Sequence, residues 1–166
     1  DSHYGSSSPI NLMITASARE LANGHTASRA QQVSILVNPV ATLPVVNIGS
    51  ATGTEDQNIQ IGPPVITINP VDTDGSELYE VRFGPMSGTL TVGSRINGTT
   101  TWRVTQSEFG SSLNYRAPQN YAGQVLIPIQ VITYDGDDTA SLIGLLTVNV
   151  NSVADVPVFQ LPSVIT

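Results

Sequence analysis

Two acidic stretches stand out in a chain that is otherwise poor in charged residues. They are NPVDTDGSELYE, residues 69–80, and YDGDDT, residues 134–139. Clustered carboxylates repel one another and are stable together only when water or a cation neutralises them. Carboxylate and carbonyl oxygens in flexible loops are the ligands that Ca²⁺ prefers, whereas Zn²⁺ prefers histidine or cysteine. The acids therefore indicate either a calcium site or solvated turns, because Asp-Gly pairs are also ordinary turn formers.

Composition argues against several other kinds of chemistry. The 166 residues include no cysteine, which excludes disulfides, thiolate metal sites and a cysteine nucleophile. No serine lies in a G-x-S-x-G motif, and the acids lie on polar segments rather than in an aromatic-lined cleft, so we expect no enzyme. The net charge of −7 leaves no basic patch for nucleic acid. No apolar run approaches the roughly 20 residues of a membrane span, so we expect no membrane insertion in this segment.

The chain also repeats part of itself. The segment TASRAQQVSILVNPVATLPV, which begins at residue 26, aligns without gaps with TASLIGLLTVNVNSVADVPV, which begins at residue 139, so the offset is 113 residues. Identical pairs include Ser28 with Ser141 and Pro44 with Pro157. INLMITASARELANGHTAS, from residue 10, also resembles IPIQVITYDGDDTAS, from residue 127, with a longer loop. We predict a tandem repeat: residues 1–44 are the C-terminal part of a preceding repeat, 45–155 a complete repeat, and 156–166 the first strand of a following one.

Short β-type runs separated by turn residues predict an all-β sandwich of antiparallel strands. The predicted strands are A (45–48), B (59–68), C (78–83), a hairpin pair (88–93 and 100–105), F (126–134) and G (143–150). Pro63 and Pro64 should force an edge or a bulge in strand B. Asn97-Gly98 is a strong hairpin signal between the paired strands.

Strand direction places the acids at the two poles of the predicted sandwich. The B–C loop, with Asp72, Asp74 and Glu77, and the F–G loop, with Asp135 to Asp138, should lie where the chain enters the repeat. The A–B loop, with Glu55 and Asp56, should lie beside the exit linker that carries Asp155. We therefore predict a composite Ca²⁺ site at each junction between repeats, although the D-x-D-G stretch alone is not a complete EF-hand loop.

The stretches TEDQ, DTDGSE, YRAPQNYAG, ITYDGDD and VNVNSVADVPVF, in this order, resemble the cadherin-like, Ig-like extender repeats of large bacterial RTX-type adhesins. The resemblance covers residues 45–158 and, as a partial copy, 10–44. It implies an Ig-like or cadherin-like sandwich, secretion to the bacterial cell surface, a role in cell adhesion and biofilms, and neighbouring repeats as partners. It also implies Ca²⁺ at the junctions. The implied ligands are Glu55 of the A–B loop, Asp72 and Asp74 of the B–C loop, Asp135 of the F–G loop, and Asp155 of the linker. Because Asp137 lies in the same F–G loop, we include it in the predicted calcium site.

Two positions depart from this pattern. Thr42 stands in the first linker where the second linker has Asp155, and the first F–G loop, ARELANGH, lacks the paired aspartates. We therefore expect weaker Ca²⁺ binding at the junction near residue 42.

Two further hypotheses concern partners. Trp102, beside the predicted hairpin, could stack on a sugar, so the alternative function is a glycan-binding or protein-binding adhesion module, although a lone tryptophan is more often a core anchor. Residues 156–166 could complete the partial repeat of another molecule by strand addition, which would give head-to-tail self-association.

Overall fold

The computed structural model describes residues 8–72, 75–157 and 159. These residues form β-strands and turns but no helix, which confirms the predicted all-β class. Several of the sheets are antiparallel, an arrangement consistent with a β-sandwich. In this part of the chain there is accordingly no helix of the length and apolar character needed to cross a membrane.

The strands are β1 (Ile10–Arg19), β2 (Thr26–Ile35), β3 (Val45–Ile48), β4 (Ser50–Thr54), β5 (Ile59–Gln60), β6 (Ile66–Asn69), β7 (Leu78–Phe83), β8 (Thr89–Leu90), β9 (Ser94–Arg95), β10 (Trp102–Thr105), β11 (Asn114–Arg116), β12 (Gly123–Asp135) and β13 (Asp138–Asn151). They form a six-stranded sheet in the order β4-β13-β12-β7-β10-β9, a three-stranded sheet β5-β11-β8, and the pairs β3-β6 and β1-β2. Predicted strands A and C have the observed bounds, and predicted strands F and G lie within β12 and β13.

Predicted strand B is two strands. The cis peptide Pro63-Pro64 lies between β5 and β6, which belong to different sheets, so the prolines interrupt the strand rather than only bending it. Prolines cannot donate to a sheet ladder, which explains the break.

The prediction of a strand over residues 88–93 is wrong. Only Thr89 and Leu90 are extended there, and they pair with β11. Gly88 and Gly93, at the ends of the predicted strand, both have positive φ angles, which end regular pairing. The Asn97-Gly98 hairpin does form, but β9 is the partner of β10, and the turn is closed by the Thr99 amide, which donates to the Ile96 carbonyl at 3.0 Å.

The strand β4 was not predicted, and it makes the sheet mixed rather than wholly antiparallel. It pairs in parallel with β13, with Ser50 beside Thr147 and Thr54 beside Asn151. The chain changes sheets at Gly49, whose amide donates to the Val65 carbonyl at 2.8 Å. Residues 45–54 therefore contribute a short strand to each of two sheets.

The described chain divides into two compact units. Unit 1 comprises residues 1–45, 68–80 and 131–142, and unit 2 comprises residues 46–67, 81–130 and 143–166. The predicted repeat boundaries, which follow the sequence rather than these units, stay a prediction. Unit 2 contains a core of fully buried apolar side chains. Its members include Ile61, Ile66, Val81, Phe83, Val104, Leu113, Ile127, Ile129, Leu146 and Val148.

Tyr115 is the largest fully buried side chain of unit 2. Its hydroxyl donates to the Ser87 carbonyl at 2.9 Å, so its polar group is satisfied inside the core. Burial raises the pKa of Tyr115, which keeps the phenol protonated. A Cβ at Gly88 would lie 2.9 Å from the Tyr115 hydroxyl oxygen, so the ring fits only because residue 88 is glycine.

Candidate functional site: acids that bind the linkers

The turn between β12 and β13 brings two acids of unit 1 beside the first linker, which we define as residues 36–44. Asp135 ends β12 and Asp138 begins β13, with only Gly136 and Asp137 between them. Gly136 has φ +55°, and a Cβ there would lie 2.8 Å from Cγ of Pro39. This two-residue turn therefore needs glycine both for its conformation and for its close approach to the linker.

Three consecutive amides of the first linker donate to three different carboxylates. The Val40 amide donates to Oδ2 of Asp135 at 3.2 Å, and the Ala41 amide donates to Oδ2 of Asp138 at 3.0 Å. The Thr42 amide donates to Oε1 of Glu77. We call Asp135, Asp138 and Glu77 the carboxylate clamp. Hydrogen bonds to ionised carboxylates are stronger than neutral ones, so the clamp fixes a segment that has no regular secondary structure of its own.

A buried hydroxyl completes this arrangement. Thr133 is buried, and its hydroxyl lies 2.8 Å from the Thr42 carbonyl oxygen and 3.3 Å from the Ala140 carbonyl oxygen. A hydroxyl has one proton to donate, and the shorter distance favours Thr42. Both polar groups of the Thr42 peptide backbone are therefore bound by unit 1.

Glu77 has one oxygen that the linker does not use. Its Oε2 is buried and makes no hydrogen bond to any described residue. A buried carboxylate oxygen without a partner is costly, and native proteins usually satisfy such an atom with water or an ion.

The predicted calcium ligands of unit 1 differ in their surroundings. Asp72 and Asp135 are buried, with 5% and 2% of their surface exposed, whereas Asp137 is exposed. Asp74 lies outside the described residues. Within residues 8–72, 75–157 and 159, no three His, Asp or Glu side chains are grouped closely enough to hold a metal ion. The calcium site stays a prediction; of its described acids in unit 1, Asp135 binds a linker amide.

Tyr79 is the neighbour of Glu80 on β7 and also belongs to unit 1. Burial raises the pKa of Tyr79, so its phenol remains neutral at physiological pH. It therefore adds no negative charge to the acids of unit 1.

In unit 2, Glu55 holds the start of the second linker, residues 152–157. Its amide donates to the Asn151 carbonyl at 2.9 Å, and its Oε1 accepts from the Val153 amide at 2.6 Å. Val153 aligns with Val40 at the offset of 113 residues, so the aligned residue of each linker donates to a carboxylate. The predicted linker ligand Asp155 is exposed.

Asp56 adds a second contact in the A–B loop. It has a φ angle of +60°, and its Oδ1 accepts from the Asn120 amide at 3.2 Å. Aspartate tolerates this left-handed conformation better than most residues. Asp56 thus stabilises the loop that carries Glu55. This hydrogen bond does not involve the second linker.

Sequence reasoning placed Glu77 and Asp138 in the acidic loops but did not predict that they bind the first linker, and it missed Thr133 altogether. One signal for Thr133 was available. The inward positions of β12 are apolar at Ile127, Ile129 and Val131, and the same alternation then reaches Thr133 and Asp135, which are buried although polar. Polar residues that continue a core-facing alternation need partners, so they mark a contact with another segment.

Comparisons with known proteins add no family to these observations. No protein-family model matches the sequence, and no curated protein matches it closely enough to be a relative. The functional conclusions below are argued from the residues and their contacts.

Proposed function

We propose that this chain is a structural extender segment of a bacterial cell-surface adhesin, in which β-sandwich repeats are joined by linkers stiffened by Ca²⁺ and project a binding domain from the cell. The observation that carries the proposal is the carboxylate clamp, which binds three consecutive linker amides in unit 1. The repeat offset and the all-β fold support it, because extenders are tandem arrays of such units. Neighbouring repeats of the same polypeptide are the proposed partners, outside the cell.

The mechanism is mechanical. Fixing a backbone residue costs about 1–2 kcal/mol in conformational entropy. A hydrogen bond to a charged group contributes about 1.5–3 kcal/mol, so one such bond per linker residue offsets this cost. The amides of Val40, Ala41 and Thr42 each have one. The linker can then transmit direction from one repeat to the next instead of acting as a swivel.

Calcium would add to this effect. The candidate ligands offer only oxygen donors, which suits Ca²⁺. In unit 1 the residues that would hold it are Asp72, Asp74, Asp135, Asp137 and Glu77, and in unit 2 they are Glu55 and Asp155. Oε2 of Glu77, buried and without a hydrogen-bond partner among the described residues, is the atom that most needs such an ion. When bound, calcium supplies positive charge that neutralises the clustered carboxylates.

Thermal unfolding with EDTA, with increasing Ca²⁺ and with Mg²⁺ tests this proposal. Binding to the folded state should stabilise it by about 2.7 kcal/mol at a hundredfold excess over the dissociation constant. The calcium-dependent rise should disappear in the double variant Asp72→Asn/Asp135→Asn. It should persist in Glu108→Gln, because Glu108 belongs to unit 2 and accepts hydrogen bonds from Thr105 within its own turn. No calcium-selective rise in the parent chain would refute the calcium part of the proposal.

The alternative is a glycan-binding or protein-binding module that uses Trp102. This side chain is half-buried on β10, beside Arg95 of β9. Its indole Nε1 is buried without a hydrogen-bond partner in the described part of the chain, so it does not present a donor to a ligand. Binding to a glycan array that Trp102→Ala abolishes would favour this alternative. We propose no catalytic activity, because the acids of the clamp are engaged with backbone amides.

A further inference from the structure

The dipeptide Asn-Gly occurs twice in the sequence, each time in a turn between two antiparallel strands. Asn23-Gly24 lies between β1 and β2, and Asn97-Gly98 lies between β9 and β10. All four residues are exposed, and both glycines have positive φ angles, of +76° at Gly24 and +74° at Gly98. The two turns therefore present the same chemical groups to water, and their hydrogen bonds are what distinguishes them.

The first turn engages each group that a reaction between its asparagine and its glycine would need. The Gly24 amide donates to the Glu20 carbonyl oxygen at 2.8 Å. The Asn23 side chain donates from Nδ2 to Oε2 of Glu20 at 3.0 Å, and its Oδ1 accepts from the His25 amide at 3.0 Å. The side-chain amide and the following backbone nitrogen are thus both bound to other partners.

The second turn leaves the same groups free. It is closed at the Ile96 carbonyl oxygen, which accepts from the Thr99 amide at 3.0 Å and from the Thr99 hydroxyl at 2.8 Å. Neither the Asn97 side chain nor the Gly98 amide makes a hydrogen bond to any described residue. A Cβ at Gly98 would meet no atom within 4 Å, so there is also open space around the glycine. The turn is therefore fixed without using the two groups that could react.

We propose that Asn97 is a site of spontaneous deamidation, a modification whose only co-reactant is water. The Gly98 amide nitrogen attacks Cγ of Asn97, and the new C–N bond closes a succinimide ring. The side-chain nitrogen leaves as ammonia, taking up the proton that the Gly98 amide loses. Water then opens the ring, which gives aspartate when the bond to Cγ breaks and isoaspartate when the bond to the backbone carbonyl carbon breaks. Glycine is the least hindered nucleophile for this step, because it has no Cβ.

The products change the hairpin β9–β10 in two ways. Both add a negative charge at its tip, and isoaspartate also adds a methylene to the main chain between Ile96 and Thr99, whose hydrogen bond closes the turn. The strand β9 is only Ser94–Arg95, paired with Trp102 and Arg103, so the altered turn acts on a short pairing. This hairpin belongs to unit 2, whereas the carboxylate clamp belongs to unit 1. The modification therefore does not depend on the proposed function or on calcium.

Peptide mapping tests the proposal with the two turns as matched sites in one molecule. Trypsin cleaves after lysine and arginine, and the chain has no lysine, so Asn23 and Asn97 fall in the separate peptides 20–29 and 96–103, each without another asparagine. The folded chain is incubated in EDTA at mildly alkaline pH, and mass spectrometry of timed samples measures aspartate and isoaspartate at each site. We expect deamidation to be roughly tenfold faster at Asn97, because the groups at Asn23 must first lose their hydrogen bonds.

The same incubation in urea separates the effect of structure from that of sequence. In the unfolded chain both asparagines are followed by an unhindered glycine, so we expect similar rates. Equal rates in the folded chain, or a faster reaction at Asn23, would overturn the proposal. A difference that persists unchanged in urea would also overturn it, because neighbouring side chains and not the hydrogen bonds of the turns would then set the rate.

Two variants at exposed positions give an independent measurement. Ion-exchange chromatography of the incubated parent chain should show acidic species that grow with time. These species should be largely absent from Asn97→Ser and should form at the parent rate in the matched control Asn23→Ser. Circular dichroism checks that each variant has folded. Acidic species that persist in Asn97→Ser would place the modification elsewhere and contradict the proposal.

Discussion

The hairpin β12–β13 buries the apolar face that the hairpin β1–β2 leaves exposed. Ile127, Ile129, Val131, Leu146 and Val148 are each at most 1% exposed. Their counterparts Ile10, Leu12, Ile14, Val33 and Ile35 are 38–57% exposed. In β1–β2 these side chains point to one face, because Ile10 lies opposite Ile35, and Leu12 opposite Val33.

The difference shows what each level of structure contributes. Alternating apolar residues give both segments the same strands and the same inward face. Burial then depends on the other strands that are present, since a hairpin alone has nothing to cover its face, and isolated hairpins are only marginally stable in water. The two turns differ as well, because only that of β12–β13 carries acids that bind a linker.

The largest effect should come from truncating an equivalent isoleucine in each hairpin. Ile127→Ala removes a fully buried side chain, so we expect a loss of about 2–5 kcal/mol in the free energy of unfolding. Ile10→Ala removes an exposed side chain and should cost less than about 0.5 kcal/mol. Urea unfolding of both variants measures the contrast. Equal losses would mean that the face of β1–β2 is covered in solution.

The clamp should produce the next largest effect. Asp135→Ala leaves the Val40 amide without its acceptor, and we expect a loss of about 1–3 kcal/mol. Asp137→Ala, in the same turn but exposed, is the matched control and should change stability by less than about 0.5 kcal/mol. Both are measured by urea unfolding in EDTA, which removes any contribution from calcium. A loss in Asp137→Ala as large as that in Asp135→Ala would contradict the assigned contacts.

The glycines of the two turns sharpen the comparison further. Gly136 and Gly24 both have positive φ angles, of +55° and +76°. A Cβ at Gly136 would also meet Pro39 at 2.8 Å, whereas one at Gly24 would meet only the Arg19 side chain at 3.7 Å. Gly136→Ala should therefore destabilise by more than the roughly 1 kcal/mol expected from backbone strain alone. Thermal unfolding of Gly24→Ala measures the cost of backbone strain without such a contact. An equal loss of stability in both variants would show that the contact with Pro39 adds nothing.

The fold could be predicted from the sequence where side-chain patterns were strong. Strands A and C, the all-β class and the Asn97-Gly98 turn all follow from alternation and turn chemistry. Strand β4 was not predicted because its inward residues are small. Ala51 is buried, and a Cβ at Gly53 would lie 2.6 Å from the Ile59 side chain, so the strand packs closely without an apolar pattern.

The site was only partly predictable, for a related reason. The acidic stretches identified the right loops, but backbone amides carry no sequence signature. Side chains alone suggest a cation as the partner of Asp135, and the structure places the Val40 amide there. The sequence also could not reveal that Glu77 would have one engaged and one unsatisfied oxygen, because this depends on the path of the first linker.

The smallest effect on stability is expected for Glu108. It lies in neither hairpin, so it is a reference for a carboxylate outside both of them. Hydrogen bonds from the hydroxyl and the amide of Thr105 lower the pKa of Glu108. A carboxyl with a lowered folded-state pKa stabilises the protein above its unfolded-state pKa, and this contribution is lost as the pH falls through the folded-state value. Because Glu108 is exposed, Glu108→Gln should reduce acid sensitivity only slightly, as measured by urea midpoints at neutral and acidic pH. An NMR titration giving an ordinary or raised pKa would contradict this prediction.

The most direct measurement is amide hydrogen exchange, by NMR, of the first linker in EDTA and in Ca²⁺. The account predicts that the amides of Val40, Ala41 and Thr42 are protected in EDTA, because each donates to a carboxylate of the clamp. It also predicts that Ca²⁺ slows their exchange further, by stabilising the same carboxylates. Exchange at the unprotected rate in both conditions would contradict the central claim that these acids hold the linker. Protection that Ca²⁺ leaves unchanged would retain the clamp and refute the role of calcium in stiffening it.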